Sequence, residues 1–553
     1  MKRYFTLAAT LLSLAALHAA SPAKPNIVFI LADDLGFAEI GANGSDRYKT
    51  PNIDSLAKTG IRFNHFYTVP LCGPSRALIL TGRYGFRSGA VTQDACGSIL
   101  RTGDKAEVMV PTVLKKAGYA TAMIGKWGQI LPSGDATDWG FDHVLSYKAS
   151  GIFWNKSAAA AWVKKYALAG EKGADDGVRA NPGPYNINEK KLTMTDAEYM
   201  PDLMQKSALD FINSNQSKPF FLYYSLSFVH SQILPTPDSA PPAPGTDAAA
   251  RYVQLYNDNI TYMDKLVGKL LAELERLKLR DNTVVFFMGD NGTAKANADR
   301  ATIGGRRIVG QKGGMEEGGG LVPFIISWPG VTPAGRLSEN FTDASDLLPT
   351  FAEIAGAPLP GNRVIDGKSL LPQIKGETKS PRTWAFTQLG ENFHVREAGW
   401  KLNQAGQLFD MKNAPFEEIP VPADSKDAAA IAARQRLSAA LAELNPGAGF
   451  KGEGSGRGDK TKKGKAAAAP DAKPATTSSV APAAGALDPV AAERAAKFDR
   501  LDKAKTGKLT REYYTANQSD AAAAAERFEK MDTNKDGIVT REEYIANGGK
   551  KSK

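Results

Sequence analysis

Cysteine is nearly absent from this chain: 553 residues hold two, Cys72 and Cys96. That excludes a disulfide scaffold and any thiolate cluster for zinc or iron–sulfur. Histidine is scarce as well, with five residues, of which His18 lies near the amino terminus. Only His65, His143, His230 and His394 are left to serve a site. Long apolar runs are missing beyond the leader. The one run there, YFTLAATLLSLAAL, follows Lys2 and Arg3 and ends in the small residues of HAASPA. It is shorter than the roughly 20 residues that span a bilayer, and it reads as a secretory signal peptide cut near residues 18–23. The leader has no cysteine for lipid attachment. An exported, periplasmic or secreted protein without stable membrane insertion is expected.

A concentrated basic face is also lacking. The balance of 69 basic and 59 acidic residues gives +10, but Lys2, Arg3 and the segment KGEGSGRGDKTKKGK (451–465) carry much of the excess. A nucleic-acid partner is not expected. What is present is ordinary for a large globular chain, with 42% hydrophobic and 9% aromatic residues, and the length calls for more than one unit.

From Pro25 to about Gly367, short apolar runs alternate with amphipathic stretches. NIVFILA (26–32), FFLYYSLSF (220–228), TVVFFMG (283–289) and VPFIISW (322–328) have the character of buried strands. Between the second and third, Tyr256, Ile260, Met263, Val267, Leu270, Leu274 and Leu277 alternate spacings of four and three, which puts one apolar stripe on a long helix. An α/β fold with a substantially parallel central sheet follows. The run 393–416 predicts a small β-rich addition. Residues 445–487, rich in Gly, Ala, Pro, Lys, Ser and Thr, read as a flexible linker. After it, FDRLDKAKTGKLTREYY (498–514) and FEKMDTNKDGIVTREEY (528–544) repeat with a 30-residue offset. The expected division is a signal peptide 1–23, a main α/β domain 24–370, a smaller domain 371–444, a linker 445–487 and a helical pair 488–553.

Three motifs carry chemistry. Asp33-Asp34 follows the first apolar strand, and Asp290-Asn291-Gly292 follows the third. Carboxylates at the carboxyl ends of strands in an open α/β sheet face the ligand crevice, and adjacent carboxylates favour a hard cation between them. Two such strand ends make an oxygen-rich site suited to Ca²⁺ or Mg²⁺ rather than zinc. In Leu71-Cys72-Gly73-Pro74-Ser75-Arg76, Pro74 and Ser75 open a helix and place Cys72 at its amino terminus. Free N–H groups there favour an anion, and Arg76 adds a fixed positive charge.

Cys72-Gly73-Pro74-Ser75-Arg76 resembles the C-x-P-S-R signature of type I sulfatases, whose cysteine is oxidised to formylglycine. PNIVFILADDLGF, TPNIDSLAKTGIRFNHFY, TGRYGFRSG, GYATAMIGKWG, GDNGT and GQKGGMEEGGGLVP resemble further family blocks in family order, over roughly residues 25–440. The resemblance implies an alkaline-phosphatase-like fold: a large, mostly parallel sheet flanked by helices, with a small carboxyl-terminal β-rich subdomain. It implies that Asp33, Asp34, Asp290, Asn291 and the converted Cys72 hold Ca²⁺. Arg76 then holds the aldehyde hydrate, Lys126 contacts hydrate and sulfate, His230 stands near the leaving oxygen, and Lys312 binds sulfate. The implied reaction is hydrolysis of a sulfate ester through a sulfated enzyme. Its partners are a sulfated small molecule or carbohydrate and a formylglycine-generating maturation enzyme. Two positions depart from the family: Gly128 stands where G-K-W-H has histidine, and Leu321 where an arginine precedes Val-Pro. Gln129 is a candidate to compensate at the first. His143 is expected on a loop surface and His65 in the core. A phosphatase or phosphonate hydrolase on the same scaffold, and a non-catalytic glycan-binding homologue, are the alternatives.

The tail reads separately. Asp532, Asn534, Asp536, Gly537, Ile538, Thr540 and Glu543 occupy positions 1, 3, 5, 6, 7, 9 and 12 of an EF-hand loop, which predicts a second Ca²⁺. In the first copy Asp502 and Gly507 survive, but Ala504, Thr506 and Tyr513 replace oxygen donors, so that copy is expected to be a pairing partner without metal.

Overall fold

The computed structural model describes residues 24–98, 106–128, 136–147, 185–230, 233–448, 506–516 and 521–547 except 189 and 381, with Phe153, Trp154, Ala158, Ala161, Phe498 and Leu501 besides. The expected signal peptide, most of the linker, Gln129, Asp502 and Ala504 lie outside the described residues. The chain forms two compact units, 1–460 and 461–553.

The first unit is built on a ten-stranded sheet. Its strands are β1 (Asn26–Ala32), β2 (Ile61–Tyr67), β3 (Ala120–Lys126), β4 (His143–Tyr147), β5 (Tyr185–Ile187), β6 (Lys190–Leu192), β7 (Phe220–Leu226) and β8 (Thr283–Gly289), then β11 (Phe324–Ser327) and β12 (Arg336–Asp343). A two-stranded hairpin, β9 (Thr302–Ile303) with β10 (Arg306–Arg307), lies between. The order across the sheet is β12-β2-β11-β8-β1-β7-β3-β4-β5-β6. The centre, from β8 to β4, is parallel; β11 runs against both of its neighbours, and β5 and β6 close the far edge antiparallel.

Helices cover both faces, so the central strands are apolar without alternation. Ile27, Phe29 and Leu31 of β1 join one core with residues of the helices Cys72–Thr81, Val110–Lys116 and Leu347–Ala355. Val28, Ile30 and Ala32 join the other, against Met200–Ser214 and Ala248–Arg276. The latter helix starts where the Asp247 carboxylate accepts the Ala250 N–H at 2.7 Å, and its expected stripe from Tyr256 to Leu274 is buried. Sequence periodicity missed β2, β3, β4 and β12. β2 and β12 mix polar residues into the run, and β3 contains Thr121 and Gly125.

The small addition is a five-stranded antiparallel sheet, β13 (Trp384–Leu389), β14 (Asn392–Glu397), β15 (Trp400–Asn403), β16 (Leu408–Asp410) and β17 (Ile419–Val421), packed under the helix Ala428–Leu444. It begins earlier and ends later than the 393–416 run. In the second unit, β18 (Lys508–Thr510) pairs antiparallel with β19 (Ile538–Thr540), and Phe498, Leu509, Tyr514, Phe528, Met531, Val539 and Tyr544 share a core. Among the described residues no helix is long and apolar enough to cross a membrane.

Candidate active site

The carboxyl ends of the parallel strands carry the site. The ladder runs one residue past β1 and β8: the Asp33 N–H donates to the Leu226 carbonyl at 2.9 Å, and the Asp290 N–H to the Ala32 carbonyl at 2.9 Å. Both carboxylates are therefore held by sheet backbone and fully buried. Asp34 turns out of the sheet with φ +63°, and its N–H donates to Asp290 Oδ1 at 3.1 Å. Val229, directly before His230, has φ +67°, an unusual conformation for a β-branched residue.

Cys72 is the first residue of the Cys72–Thr81 helix, as Pro74 and Ser75 predicted. Ser75 Oγ donates to the Val69 carbonyl at 2.6 Å and pins the preceding loop. One turn along, Arg76 is fully buried. Its Nε and one terminal nitrogen donate to Asp290 Oδ2 at 3.0 and 2.8 Å; the other donates to the Lys126 carbonyl at 2.7 Å and Ser225 Oγ at 2.6 Å. Lys126 ends β3, with Nζ 2.7 Å from Asp33 Oδ2, and Lys312 Nζ lies 2.5 Å from Asp34 Oδ1. His230 Nε2 stands 3.8 Å from Asp34 Oδ2. Ligand atoms of Asp33, Cys72 and Asp290 lie within 4.8 Å of one another, as do those of Asp33, Asp34 and His230. The nine residues expected in the α/β domain thus converge.

Burial and charge pull the acids apart. Burial alone would raise Asp33, but Lys126, His230, Arg76 and Lys312 overcome it and hold its carboxyl far below the usual range. Asp290 moves up, to about 7, because burial and the Asp33 charge outweigh Arg76. Burial lowers His230 despite Asp33 and Asp34, which favours the neutral ring, and burial raises the Cys72 thiol.

Asp33 Oδ1 and Asn291 Oδ1 are buried and accept no hydrogen bond. An orphaned buried acceptor costs about 1–3 kcal/mol, and these two, one of them on Asp33 itself, make with the carboxylates of Asp34 and Asp290 an all-oxygen donor set that fits a hard divalent cation.

Several residues of the site gave no warning in the sequence. Glu39 is buried and joins the loops that follow Asp33-Asp34 and Asp290-Asn291: Oε2 accepts Gly36 N–H at 2.7 Å and Thr293 Oγ at 2.8 Å, and Oε1 accepts the Tyr256 hydroxyl at 2.6 Å. Burial pushes its carboxyl up to about 7. Ser225 and Gln93 are the others. Gly128 has φ +76°, and a Cβ there would lie 2.5 Å from Arg76 Cδ, so this backbone has no room for a side chain. Leu321 is buried and bridges to Tyr67.

The remaining histidines stay out of this cluster. His143 opens β4 rather than sitting on a loop, with Nε2 2.8 Å from Ser207 Oγ. His65 is half-buried rather than in the core, stacked on Phe341 with Nε2 3.2 Å from Glu339. His394 is buried in β14.

In the second unit the 532–543 loop folds on its own acids. Asp532 Oδ2 accepts the Gly537 N–H at 2.9 Å, Asn534 Oδ1 the Asp536 N–H at 3.0 Å, and Asp536 Oδ1 the Ile538 N–H at 2.8 Å. Glu543 instead accepts from Thr540 N at 3.0 Å and Thr533 N at 3.2 Å.

Similarity to known proteins agrees with this geometry. Steryl-sulfatase of Mus musculus is 32% identical over 427 residues, covering 65% of this chain and 66% of that protein. N-acetylgalactosamine-6-sulfatase of Canis lupus familiaris is 33% identical over 385 residues, covering 66% and 69%. The crystal structure of Ps i-CgsB in complex with k-i-k-neocarrahexaose superposes with a TM-score of 0.61 at 28% identity, over 76% of this chain and 92% of that one. Residues 25–357 match the sulfatase family, so the chain belongs to it and stands among the sulfuric ester hydrolases.

Proposed function

We propose that this chain is an exported, formylglycine-dependent sulfatase that removes sulfate from a carbohydrate. The observation that carries the reading is the convergence of Cys72 at a helix amino terminus with Lys126, Lys312, His230 and the orphaned oxygens of Asp33 and Asn291. The N-acetylgalactosamine-6-sulfatase relative and the neocarrahexaose complex support a sugar substrate.

Cys72 would be the residue that a maturation enzyme converts to formylglycine, whose hydrate would supply one hydroxyl to displace the alcohol oxygen from sulfur and a second for release of the sulfate. Asp33, Asp34, Asp290 and Asn291 would hold Ca²⁺, which supplies Lewis-acid activation and charge neutralisation. Lys126 and Lys312 place two ammonium groups where sulfate oxygens gain charge. His230, with Nε2 3.8 Å from Asp34 Oδ2, is placed to hydrogen-bond the leaving oxygen and, in its protonated form, to pass it a proton. Arg76 spends its hydrogen bonds on Asp290, Ser225 and the Lys126 carbonyl, so it fixes the acid and the strand end that surround residue 72.

Matured protein should desulfate members of a panel of sulfated sugars and turn over 4-nitrophenyl sulfate faster than 4-nitrophenyl phosphate. Peptide mass spectrometry should find formylglycine at 72. Faster phosphate turnover, or full activity with an unmodified thiol, would contradict the reading.

The tail, we propose, is an EF-hand pair that binds one Ca²⁺ through Asp532, Asn534, Asp536, Ile538 and Glu543, with Glu543 swinging from Thr540 to the ion. Calorimetry on the full chain with Glu543→Gln should lose one calcium and keep sulfatase turnover.

A further inference from the structure

Gln93 lies 21 residues after Cys72 in sequence, beside the short turn Asp94–Ser98, yet its carboxamide reaches the amino end of the Cys72 helix. Oε1 accepts the Gly73 N–H at 2.8 Å and lies 3.5 Å from Cys72 Sγ. Nε2 donates to the Gly128 carbonyl at 3.4 Å. One amide therefore spans the helix that carries Cys72 and the exit of β3 that carries Lys126.

The space for it is made by glycine. A Cβ at Gly73 would lie 2.5 Å from Gln93 Nε2 and 2.6 Å from Oε1. Residue 128 itself can bring no side chain from the other side: a Cβ at Gly128 would meet Arg76 Cδ at 2.5 Å. Among the described residues, the polar side chain reaching residue 72 from this quarter is Gln93. Because Gly73 anchors Oε1, that oxygen is a fixed acceptor aimed at the thiol, and it would accept equally from a hydroxyl on the same carbon.

We propose that Gln93 is a positioning residue for the side chain at 72, orienting it through an accepted hydrogen bond; the role rests on residue 72 being the nucleophile. A carboxamide exchanges no proton in the working pH range, so Gln93 orients the group and leaves proton transfer to others.

Two variants test this by different routes. Gln93→Met keeps the length and removes both polar atoms; Gly73→Ala leaves Gln93 intact but displaces its amide. On protein made without maturation, both should raise the initial rate of Cys72 alkylation by iodoacetamide at least about threefold, because the thiol loses its acceptor. On matured protein, with rates normalised to the formylglycine content measured by mass spectrometry, kcat for 4-nitrophenyl sulfate should fall about ten- to a hundredfold while KM stays within about twofold. Gln93→Glu keeps the acceptor at Oε1 and should recover the protection against alkylation. Unchanged alkylation in either variant, or a kcat within about twofold of the parent despite faster alkylation, overturns the role. A parent protein that turns over no sulfate ester sinks the functional reading instead, and the alkylation rates still decide the contact.

Discussion

Two buried arginines in this protein each sit between two aspartates, and only one of them marks a site. Arg382, two residues before β13, pairs with Asp343 and Asp346 and donates to the Tyr84 hydroxyl oxygen at 2.9 Å. All four oxygens of its two acids have donors: Asp343 Oδ2 accepts the Tyr84 hydroxyl at 2.8 Å and Oδ1 the Ser345 N–H at 3.0 Å, while Asp346 accepts Lys368 N–H at 2.7 Å and Asp343 N–H at 3.1 Å. Arg76 is equally buried between Asp33 and Asp290, but Asp33 Oδ1 is left without a donor, and Arg76 approaches it only to 3.7 Å. Burial of charge is common to both. The difference is completeness: every carboxylate oxygen of the closed cluster has a donor, and the open one leaves an acceptor unpaired, as a ligand site requires.

The largest effects should come from the open cluster. Cys72→Ala should remove sulfatase turnover to the limit of detection in a 4-nitrophenyl sulfate assay. Cys72→Ser would supply one hydroxyl where the proposed hydrate supplies two, so it should accept sulfate without releasing it, and intact-protein mass spectrometry should find a sulfated serine. Asp290→Ala should lower kcat/KM by at least about 10²-fold and remove one bound cation by elemental analysis. Asp299→Ala, in the next turn and exposed beside Arg307, should stay within about twofold of the parent. Equal losses from both aspartates would erase the distinction between the site and its surroundings.

The closed cluster should answer in stability alone. Arg382→Leu strands two buried carboxylates and should cost about 3–5 kcal/mol by urea unfolding, with kcat per folded molecule within about twofold. A kcat loss at full stability would mean that this cluster also belongs to the site.

The open cluster was more legible in the sequence than the closed one. Asp33-Asp34, Asp290-Asn291 and Cys72-Gly73-Pro74-Ser75-Arg76 are short local motifs at strand and helix ends, where position alone points a side chain into a crevice. The apolar runs 26–32 and 283–289 became strands with those bounds because strands buried on both faces need no alternation. Arg382 is separated by 39 residues from Asp343 and by 298 from Tyr84, and no local pattern announces such a meeting. Glu39 and Gln93 stayed hidden for the same reason. Each acts through partners brought by the fold: Glu39 through Thr293 and Tyr256, Gln93 through Gly73 and Gly128. β3 was unreadable as a strand because Gly125 weakens the pattern, yet at φ +111° its missing Cβ is what allows the Ser225 carbonyl to pass.

The smallest effect separates two histidines, partly buried His230 and buried His394, along the same line. Burial lowers His230, but Asp33 and Asp34 pull the other way. His394 in β14 is held well below its ordinary range by burial, with Lys401 and Arg396 adding to the effect. Above the unfolded pKa of about 6.5 both folded and unfolded His394 are neutral, and it contributes nothing to the pH dependence. As pH falls below that value the unfolded chain takes up a proton that the folded chain refuses, so stability is lost toward acid. One such group sets a limiting slope of about 1.4 kcal/mol per pH unit. Other groups titrate in the same window, so the quantity to read is the difference between the parent and His394→Phe in urea midpoints from pH 7.5 to 5. The variant starts lower if the larger ring packs poorly, but its curve should fall less steeply, and the gap should narrow or reverse toward pH 5. Parallel curves over that range would show that His394 accepts its proton in the folded state, and that this side of the small sheet is open to water.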